Sequence, residues 1–338
     1  TVSSGSSGEE ETGGPSSAAN FVFLTSTEHL PTDLGGLAGA DVICNELAAG
    51  AGLDGEFVAW LSDSTTDAID RLSGARGWIR PDGKPVLDRP ADIGSLRLLH
   101  PIMLDEPGFV VGNASVITGS DSSGRMVTGQ TCADWTDSSQ TYRVGAADAI
   151  DKEFSTNSNA PCTEPAQLYC FGIDQSEPLV VEPVEGRHAF VSFAELPGDA
   201  GLAAFDATCA SEAAAANLPG SYLAFVASGE QTAISRFDTD GPVWINPRGI
   251  PIVESASQLL VSDDLSTAVG FTAAGDDPPF GRAWTGADTP VAVGGADCGD
   301  WTDAAATGTY GNVNRATSFM GDGGRACSVS HVVLCFQE

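Results

Sequence analysis

This 338-residue chain has eight cysteines, which could form disulfides or bind a metal. They fall into two sets of four, and the spacing is nearly the same in both sets. Corresponding members lie 165 or 166 residues apart, so that Cys44, Cys132, Cys162 and Cys170 match Cys209, Cys298, Cys327 and Cys335. Zinc sites usually hold two cysteines about two to four residues apart, and no pair here is that close. We therefore expect structural disulfides and an oxidising, extracellular setting.

The four cysteines of each copy permit three pairings. We favour the nested one, in which Cys44 pairs with Cys170 around an inner Cys132–Cys162 bond, because it ties the two ends of a copy together. Closing a loop of that length would contribute roughly 4–5 kcal/mol by restricting the unfolded chain. The repeat then predicts Cys209–Cys335 and Cys298–Cys327 in the second copy.

Short local elements must position these cysteines. Residues 40–49 have the apolar spacing of a helix that carries Cys44, with Gly50 as its stop signal. An apolar run at residues 21–24 predicts a buried strand at the start of the copy. A second apolar strand closes the copy and carries Cys170.

A hairpin lies between these elements. Residues 78–86 predict two short strands with a turn at residues 81–83, and residues 246–249 repeat the turn in the second copy. With a helix early and strands late, each copy has the pattern of an α+β fold.

Whole segments repeat along with the cysteines. Residues 131–137 match 297–303, residues 77–81 match 243–247, and residues 168–171 match 333–336. A fixed period of this length indicates duplicated domains. We expect a disordered tether at residues 1–19, a first copy at 20–173, a linker at 174–186 and a second copy at 187–338. The short, proline-containing linker predicts a restricted angle between the copies.

The charge balance limits the partners. Aspartate and glutamate total 46 against 15 lysine and arginine, which gives a net charge of −31. Such a field repels phosphate backbones, heparin-like polyanions and anionic lipid, so neither nucleic acid nor heparin is an expected partner. No cofactor is expected, although clustered carboxylates could bind calcium. The simpler interpretation is an acidic surface that keeps a secreted protein soluble.

The first residues bear on localisation. Residues 1–19 are mostly Ser, Gly, Glu, Thr and Pro, a composition typical of a flexible tether. The chain starts with Thr1 rather than Met, which suggests a processed or excised form. A tether after a processed terminus is what a lipid-anchored surface protein would show, and an ordinary disordered tail is the alternative. We expect an extracellular or outer cell-surface location.

Taken together, these patterns resemble the C-type lectin-like fold, in the form seen in endostatin domains of collagens and in related uncharacterised bacterial extracellular domains. The resemblance covers essentially the whole of each copy. It is carried by the nested cysteines and by residues 39–44, 51–62, 119–125 and 132–135 and the final strand. It implies two tandem disulfide-bonded lectin-like domains. Ligand binding through the long loops between Trp78 and Cys132 and between Trp244 and Cys298 would follow.

The departures from that family matter for the ligand. Its calcium-dependent sugar binders use Glu-Pro-Asn or Gln-Pro-Asp together with Trp-Asn-Asp, and this chain has none of these. Glu106-Pro107-Gly108 is only a partial match, which has no counterpart in the sequence of copy two, and we interpret it as a turn. The usual calcium site is therefore not expected. The arginine patch with which endostatin domains bind heparan sulfate is also missing.

Other candidate groups have plain structural interpretations. Asp238-Thr239-Asp240-Gly241 opens like a calcium loop, but position 249 is Gly where the loop requires Glu. Asp63, Asp67 and Asp70 are interpreted as caps and solvated surface of a short helix. Trp135 and Trp301 follow the cysteines and should pack in the core, with a sugar-stacking platform as the alternative.

The expected function is therefore non-enzymatic. No catalytic motif is present, and the cysteines that related formylglycine-generating enzymes keep free are used here in the repeated framework. We expect a cell-surface or secreted binding or adhesion protein that recognises a protein or glycan, with duplication adding avidity. The alternative is a structural component of an extracellular or envelope assembly.

Overall fold

The computed structural model describes residues 19–93 and 97–338, so all but the last residue of the expected tether lies outside the described residues. Within them the protein is an α+β structure with two long helices, α1 (Gly36–Ala51) and α2 (Leu202–Ala215). Helix α1 runs past Gly50, which was wrongly taken as its stop. It ends where Gly52 adopts the left-handed φ of 74° that caps it.

The first copy contains eight strands in two sheets. They are β1 (Asn20–Leu24), β2 (Phe57–Ala59), β3 (Trp78–Ile79), β4 (Pro85–Leu87), β5 (Ser115–Ile117), β6 (Thr141–Ala146), β7 (Ser158–Pro161) and β8 (Tyr169–Gly172). One sheet has the order β2-β8-β1-β3-β4, and the other has the order β5-β6-β7. Strands β3 and β4 form the hairpin that the sequence predicts.

The second copy repeats this layout in one eight-stranded sheet. Its strands are β9 (Arg187–Val191), β10 (Leu196–Pro197), β11 (Tyr222–Ala224), β12 (Trp244–Ile245), β13 (Arg282–Trp284), β14 (Thr307–Asn312), β15 (Gly323–Ala326) and β16 (Ser330–Gln337). The path β12-β9-β16-β13-β14-β15 carries β10 and β11 as further partners of β16. Short 3₁₀ helices complete both copies at Pro31–Asp33, Ala68–Leu72, Pro90–Asp92, Lys152–Phe154, Ile234–Arg236 and Ala256–Leu260.

The last strand is longer in the second copy than in the first. Strand β16 starts at Ser330 and runs for eight residues, whereas β8 starts only at Tyr169 and has four. The position that corresponds to Ser330 in the first copy is Pro165. Proline has no N–H to donate to a sheet, but the two residues after it still pair, since Ala166 bridges His29 and Gln167 bridges Val116.

Four disulfides staple the structure, and all eight cysteines are paired. The outer bonds, Cys44–Cys170 and Cys209–Cys335, join the long helix of each copy to its last strand and close 126 residues each. The inner bonds are Cys132–Cys162 and Cys298–Cys327. This is the nested arrangement that the cysteine order favours.

The repeated Cys-x-Asp-Trp motif forms one turn of left-handed helix in both copies. All four residues from Cys132 to Trp135 have φ between 49° and 68°, and residues 298–301 repeat the turn. A left-handed helical conformation costs about 1–2 kcal/mol for each L-residue that has a side chain. The inner disulfide offsets this strain, as does the indole N–H of Trp135, which donates to the Ser62 carbonyl. In copy two the Trp301 indole N–H donates to the Ala227 carbonyl in the same way.

The two copies share a hydrophobic core. One continuous cluster of buried side chains includes Val22, Trp60 and Phe171 of the first copy and Phe225, Trp244 and Phe336 of the second. Each copy also has its own smaller core around its disulfides. The arrangement of the copies is therefore set by packing between them and not by the linker alone.

Candidate functional site

The contact between the copies, here called the seam, is built from equivalent loops. Residues 148–151 and 313–316 follow matching strands, β6 and β14, and run antiparallel across the seam. The Ile150 N–H donates to the Asn314 carbonyl at 3.1 Å, and the Ala316 N–H donates to the Asp148 carbonyl at 3.0 Å. The two copies therefore contact each other through equivalent segments, as the two subunits of a symmetric dimer do.

A buried ionic network reinforces the seam. Arg315 of copy two lies 2.7 Å from Asp148 and 2.8 Å from Glu153 of copy one, and Asp148 is 0 % exposed. Arg97 of copy one reaches back to Asp277 of copy two at 2.6 Å. These contacts place scarce cations of an acidic chain where they join its halves.

Charges near this network are shifted by their surroundings. Desolvation opposes the charge on Arg315, but the neighbouring Asp148 and Glu153 carboxylates outweigh it, so the Arg315 pKa is raised. Burial raises the pKa of Asp151. The seam therefore holds an arginine that stays charged next to a carboxyl group that ionises less readily than usual.

Two concave regions lie along the seam on either side of a Lys84–Glu254 ion pair. The first, the seam cavity, has a volume of about 270 Å³. Equivalent residues of the two hairpins line it, Gly83 to Pro85 and Gly249 to Pro251, together with linker residues 179–182 and 184. The linker thus covers the point where the hairpins meet, and its Val184 N–H donates to the Gly249 carbonyl.

The second region, the loop groove, has a volume of about 480 Å³. Its lining comes from the long loops of both copies and from the first hairpin: Arg80, Asp82, Lys84, Met103, Leu104, Gly108, Val110, Glu254, Gln258, Ser262, Asp264, Leu265 and Ser266. Part of the loops expected to bind a ligand therefore lies in the seam. Another part lines the loop groove and remains accessible to solvent.

A rigid turn presents apolar side chains at the groove. The Gly108 N–H donates to the Asp105 carbonyl at 2.9 Å, and the Asp105 carboxylate accepts the Phe109 N–H at 2.6 Å. The Glu106 carboxylate accepts both the N–H and the hydroxyl of Ser26, which fastens the turn to the body of copy one. Phe109 is nevertheless 72 % exposed, next to the exposed Val110.

The facing rim comes from the second copy. Leu260 and Val261, at the end of the short helix Ala256–Leu260, lie between two groove-lining residues. Val261 is 87 % exposed. Exposed apolar side chains that neighbour a cleft are typical of an interaction site. The sequence signal that could have found them is a pair of adjacent apolar residues in an otherwise polar loop.

The structure shows that Glu106-Pro107-Gly108 is a turn, as predicted, and that copy two forms an equivalent turn without the Glu-Pro sequence. Asp105 bridges Leu24 of strand β1, and Thr272 bridges Val191 in the same way. The Gly275 N–H donates to the Thr272 carbonyl, which closes an equivalent turn. Its tip carries Asp276 and Asp277 where copy one carries Phe109 and Val110.

The remaining sequence candidates have structural roles. Trp135 and Trp301 are buried, so the core interpretation is confirmed. Asp63 accepts the N–H groups of Thr65 and Thr66, and Asp238 accepts that of Asp240, so these carboxylates stabilise local turns. Asp67 accepts the Met126 N–H and pairs with Arg125, away from Asp63.

Within residues 19–93 and 97–338, no three His, Cys, Asp or Glu side chains converge in a way that could hold a metal ion. The same part of the chain has no helix with the length and apolar character needed to span a bilayer. No protein-family model matches the chain, and no curated protein is significantly similar to it.

Proposed function

We propose that this is an extracellular, non-enzymatic binding protein that recognises a protein or glycan through the loop groove. We further propose that its two copies are lectin-like domains of the endostatin type. The four disulfides indicate an oxidising compartment, which supports an extracellular or cell-surface location.

One observation carries the proposal. A rigid turn holds Phe109 at 72 % exposure beside a groove, and Val261 of the other copy stands at 87 % exposure next to the same groove. Exposed apolar side chains that form a patch beside a groove are typical of an interaction site, whereas single exposed ones are common. Phe109, Val110 and Val261 beside the groove support a partner that covers them.

The test is an array of glycans and extracellular proteins probed with the intact chain, with and without calcium. A double variant, Phe109→Asp with Val110→Asp, gives the first turn the tip of the second. We expect it to weaken binding at least tenfold, because a buried contact would be replaced by two charges. Phe193→Asp is the matched control, since Phe193 is exposed and neither it nor an adjacent residue lines either concave region.

Retained binding in the double variant would move the site away from the groove. Loss of binding on chelation would show a calcium dependence that the sequence does not predict. If no ligand binds and the chain instead assembles with itself, the structural alternative is favoured.

A further inference from the structure

The seam cavity contains a buried imidazole with one nitrogen unused. His100 is 3 % exposed and lines the cavity, with its Nδ1 2.7 Å from the Pro85 carbonyl oxygen. A carbonyl oxygen can only accept a hydrogen bond, so Nδ1 carries the proton. Nε2 of a neutral ring is then an acceptor, and it has no hydrogen-bond partner among the described residues.

The ring is neutral at physiological pH. Burial lowers the His100 pKa, the charge of Arg80 lowers it further, and the result is a pKa of about 3. A neutral ring with Nδ1 fixed by Pro85 offers one lone pair in a fixed direction.

The fold itself does not require an imidazole at this position. The Leu99 N–H donates to the Val86 carbonyl, and the Ser266 N–H donates to the Ile252 carbonyl in the same place of copy two. The residue that corresponds to His100 is therefore Thr267. A β-branched hydroxyl residue fills the equivalent buried position, so the acceptor nitrogen belongs to copy one alone.

The other walls of the cavity are mainly apolar. They include Ile79, Pro85, Leu179, Val181, Ile250 and Pro251. The two nearest opposite charges, Lys84 and Glu254, are already paired with each other. An apolar cavity with one convergent polar group is the usual form of a small-molecule site.

We propose that the seam cavity binds a small neutral molecule that has an apolar body and one O–H or N–H group, which donates to Nε2 of His100. A cationic ligand would meet Lys84, and an anionic one would meet Glu182, Glu254 and the net negative charge of the chain. A phenol has the required chemistry, because its ring can lie against the two prolines while its hydroxyl donates.

The experiment compares two probes of nearly the same shape on the intact chain by ligand-observed NMR titration. p-Cresol carries the donor, and 4-methylanisole carries a methyl ether that cannot donate. We expect p-cresol to bind with a Kd of about 1 mM, as is usual for so small a ligand. We expect 4-methylanisole to bind about three- to tenfold more weakly, since a net hydrogen bond is worth that factor.

Variants assign the difference to His100. His100→Phe should bring the p-cresol affinity down to that of 4-methylanisole while leaving the latter unchanged. Val180→Trp, at an exposed linker position on the cavity rim, should weaken both probes and keeps the test valid if His100→Phe does not fold. Phe109→Asp, in the loop groove, should change neither.

Equal affinity of the two probes, or no binding of either, would overturn the proposal. A preference for p-cresol that survives in His100→Phe would do the same. Because the loop groove is probed by other variants, these outcomes are independent of whether the proposed groove ligand exists.

Discussion

The turns at residues 105–110 and 272–277 have the same backbone hydrogen bonds, but one tip is apolar and the other is acidic. Both are closed by a glycine N–H that donates to the carbonyl three residues earlier, and both follow a bridge to the first strand of their copy. One tip exposes Phe109 and Val110. The other carries Asp276 and Asp277, and Asp277 is consumed by its ion pair with Arg97 across the seam. The two copies share the backbone geometry of the turn but differ at its tip, which exposes apolar side chains in one copy and joins the two copies in the other.

Equivalent core positions of the two copies also hold different side chains. Trp60 packs against Phe154 and Phe171, and its indole N–H donates to Ser155. The equivalent Phe225 stacks on Phe336 with ring centroids 4.3 Å apart. The scaffold therefore accepts different packing in each half while the disulfides and left-handed turns stay constant.

The largest expected effect tests whether the copies are equal as scaffolds. Replacing both cysteines of one outer disulfide with alanine should cost about 5 kcal/mol in either copy, because both loops close 126 residues. Denaturant unfolding of the Cys44→Ala/Cys170→Ala and Cys209→Ala/Cys335→Ala variants measures this. One cooperative transition is expected, since the copies share a core. Two separate transitions would show that they unfold independently.

The next effect tests the seam. Arg315→Met leaves Asp148 buried without its cation, and the free energy of unfolding should fall by about 3–5 kcal/mol. Arg125→Met removes an exposed pair with Asp67 and should cost less than about 1 kcal/mol. Both can be read from the same denaturation curves. Equal losses in the two variants would contradict a stabilising role for the seam network.

Exchanging the core residues tests how far the halves have diverged. Trp60→Phe should cost about 2–3 kcal/mol, because it leaves a void and removes the donor to Ser155. Phe225→Trp should cost about 1–3 kcal/mol through overpacking. A neutral result for either in thermal or denaturant unfolding would mean that the two sites are interchangeable.

Acid should weaken both copies through different histidines. Burial is the main cause that lowers the pKa of His100 to about 3 and of His331 to about 4. A histidine with a lowered folded pKa binds its proton mainly in the unfolded state, so its contribution is complete above pH ~6.5 and is lost as the pH falls towards the folded value. Each should cost about 2 kcal/mol at pH ~5 relative to neutral pH.

Unfolding free energies between pH ~7.5 and ~5 test this expectation. His100→Asn and His331→Asn should each make the unfolding free energy depend less on pH. His188→Asn should change this dependence less, because His188 is only half-buried. An unchanged slope in His100→Asn would refute the buried neutral imidazole.

Local signals were enough for much of the scaffold. Cysteine spacing predicted the disulfides, the apolar run at residues 21–24 predicted β1, and the Pro-Asp-Gly turn predicted the first hairpin. The bounds of α1 were missed because Gly50 and Gly52 are both plausible stops and only the backbone conformation distinguishes them.

No local sequence pattern predicts the seam or the loop groove. Arg315 and Asp148 are 167 positions apart, and nothing in either neighbourhood marks the pairing. The turn at residues 272–277 was missed because it lacks the Glu-Pro pair of the first, although hydrogen bonding makes the two equivalent. The left-handed turns also could not be predicted, since Cys132, Ala133 and Trp135 disfavour that conformation.

The outer disulfides also determine how the protein responds to a pulling force applied at its ends. Each closes a loop of 126 residues that cannot lengthen while the bond is intact. At about 3.3–3.6 Å per extended residue, each bond withholds roughly 400 Å of chain from stretching. Tension would run from β1 through α1 to Cys44, cross the sulfur atoms to β8, and repeat this path in the second copy. Under load the molecule would therefore lengthen little, because the two disulfide-closed loops cannot extend.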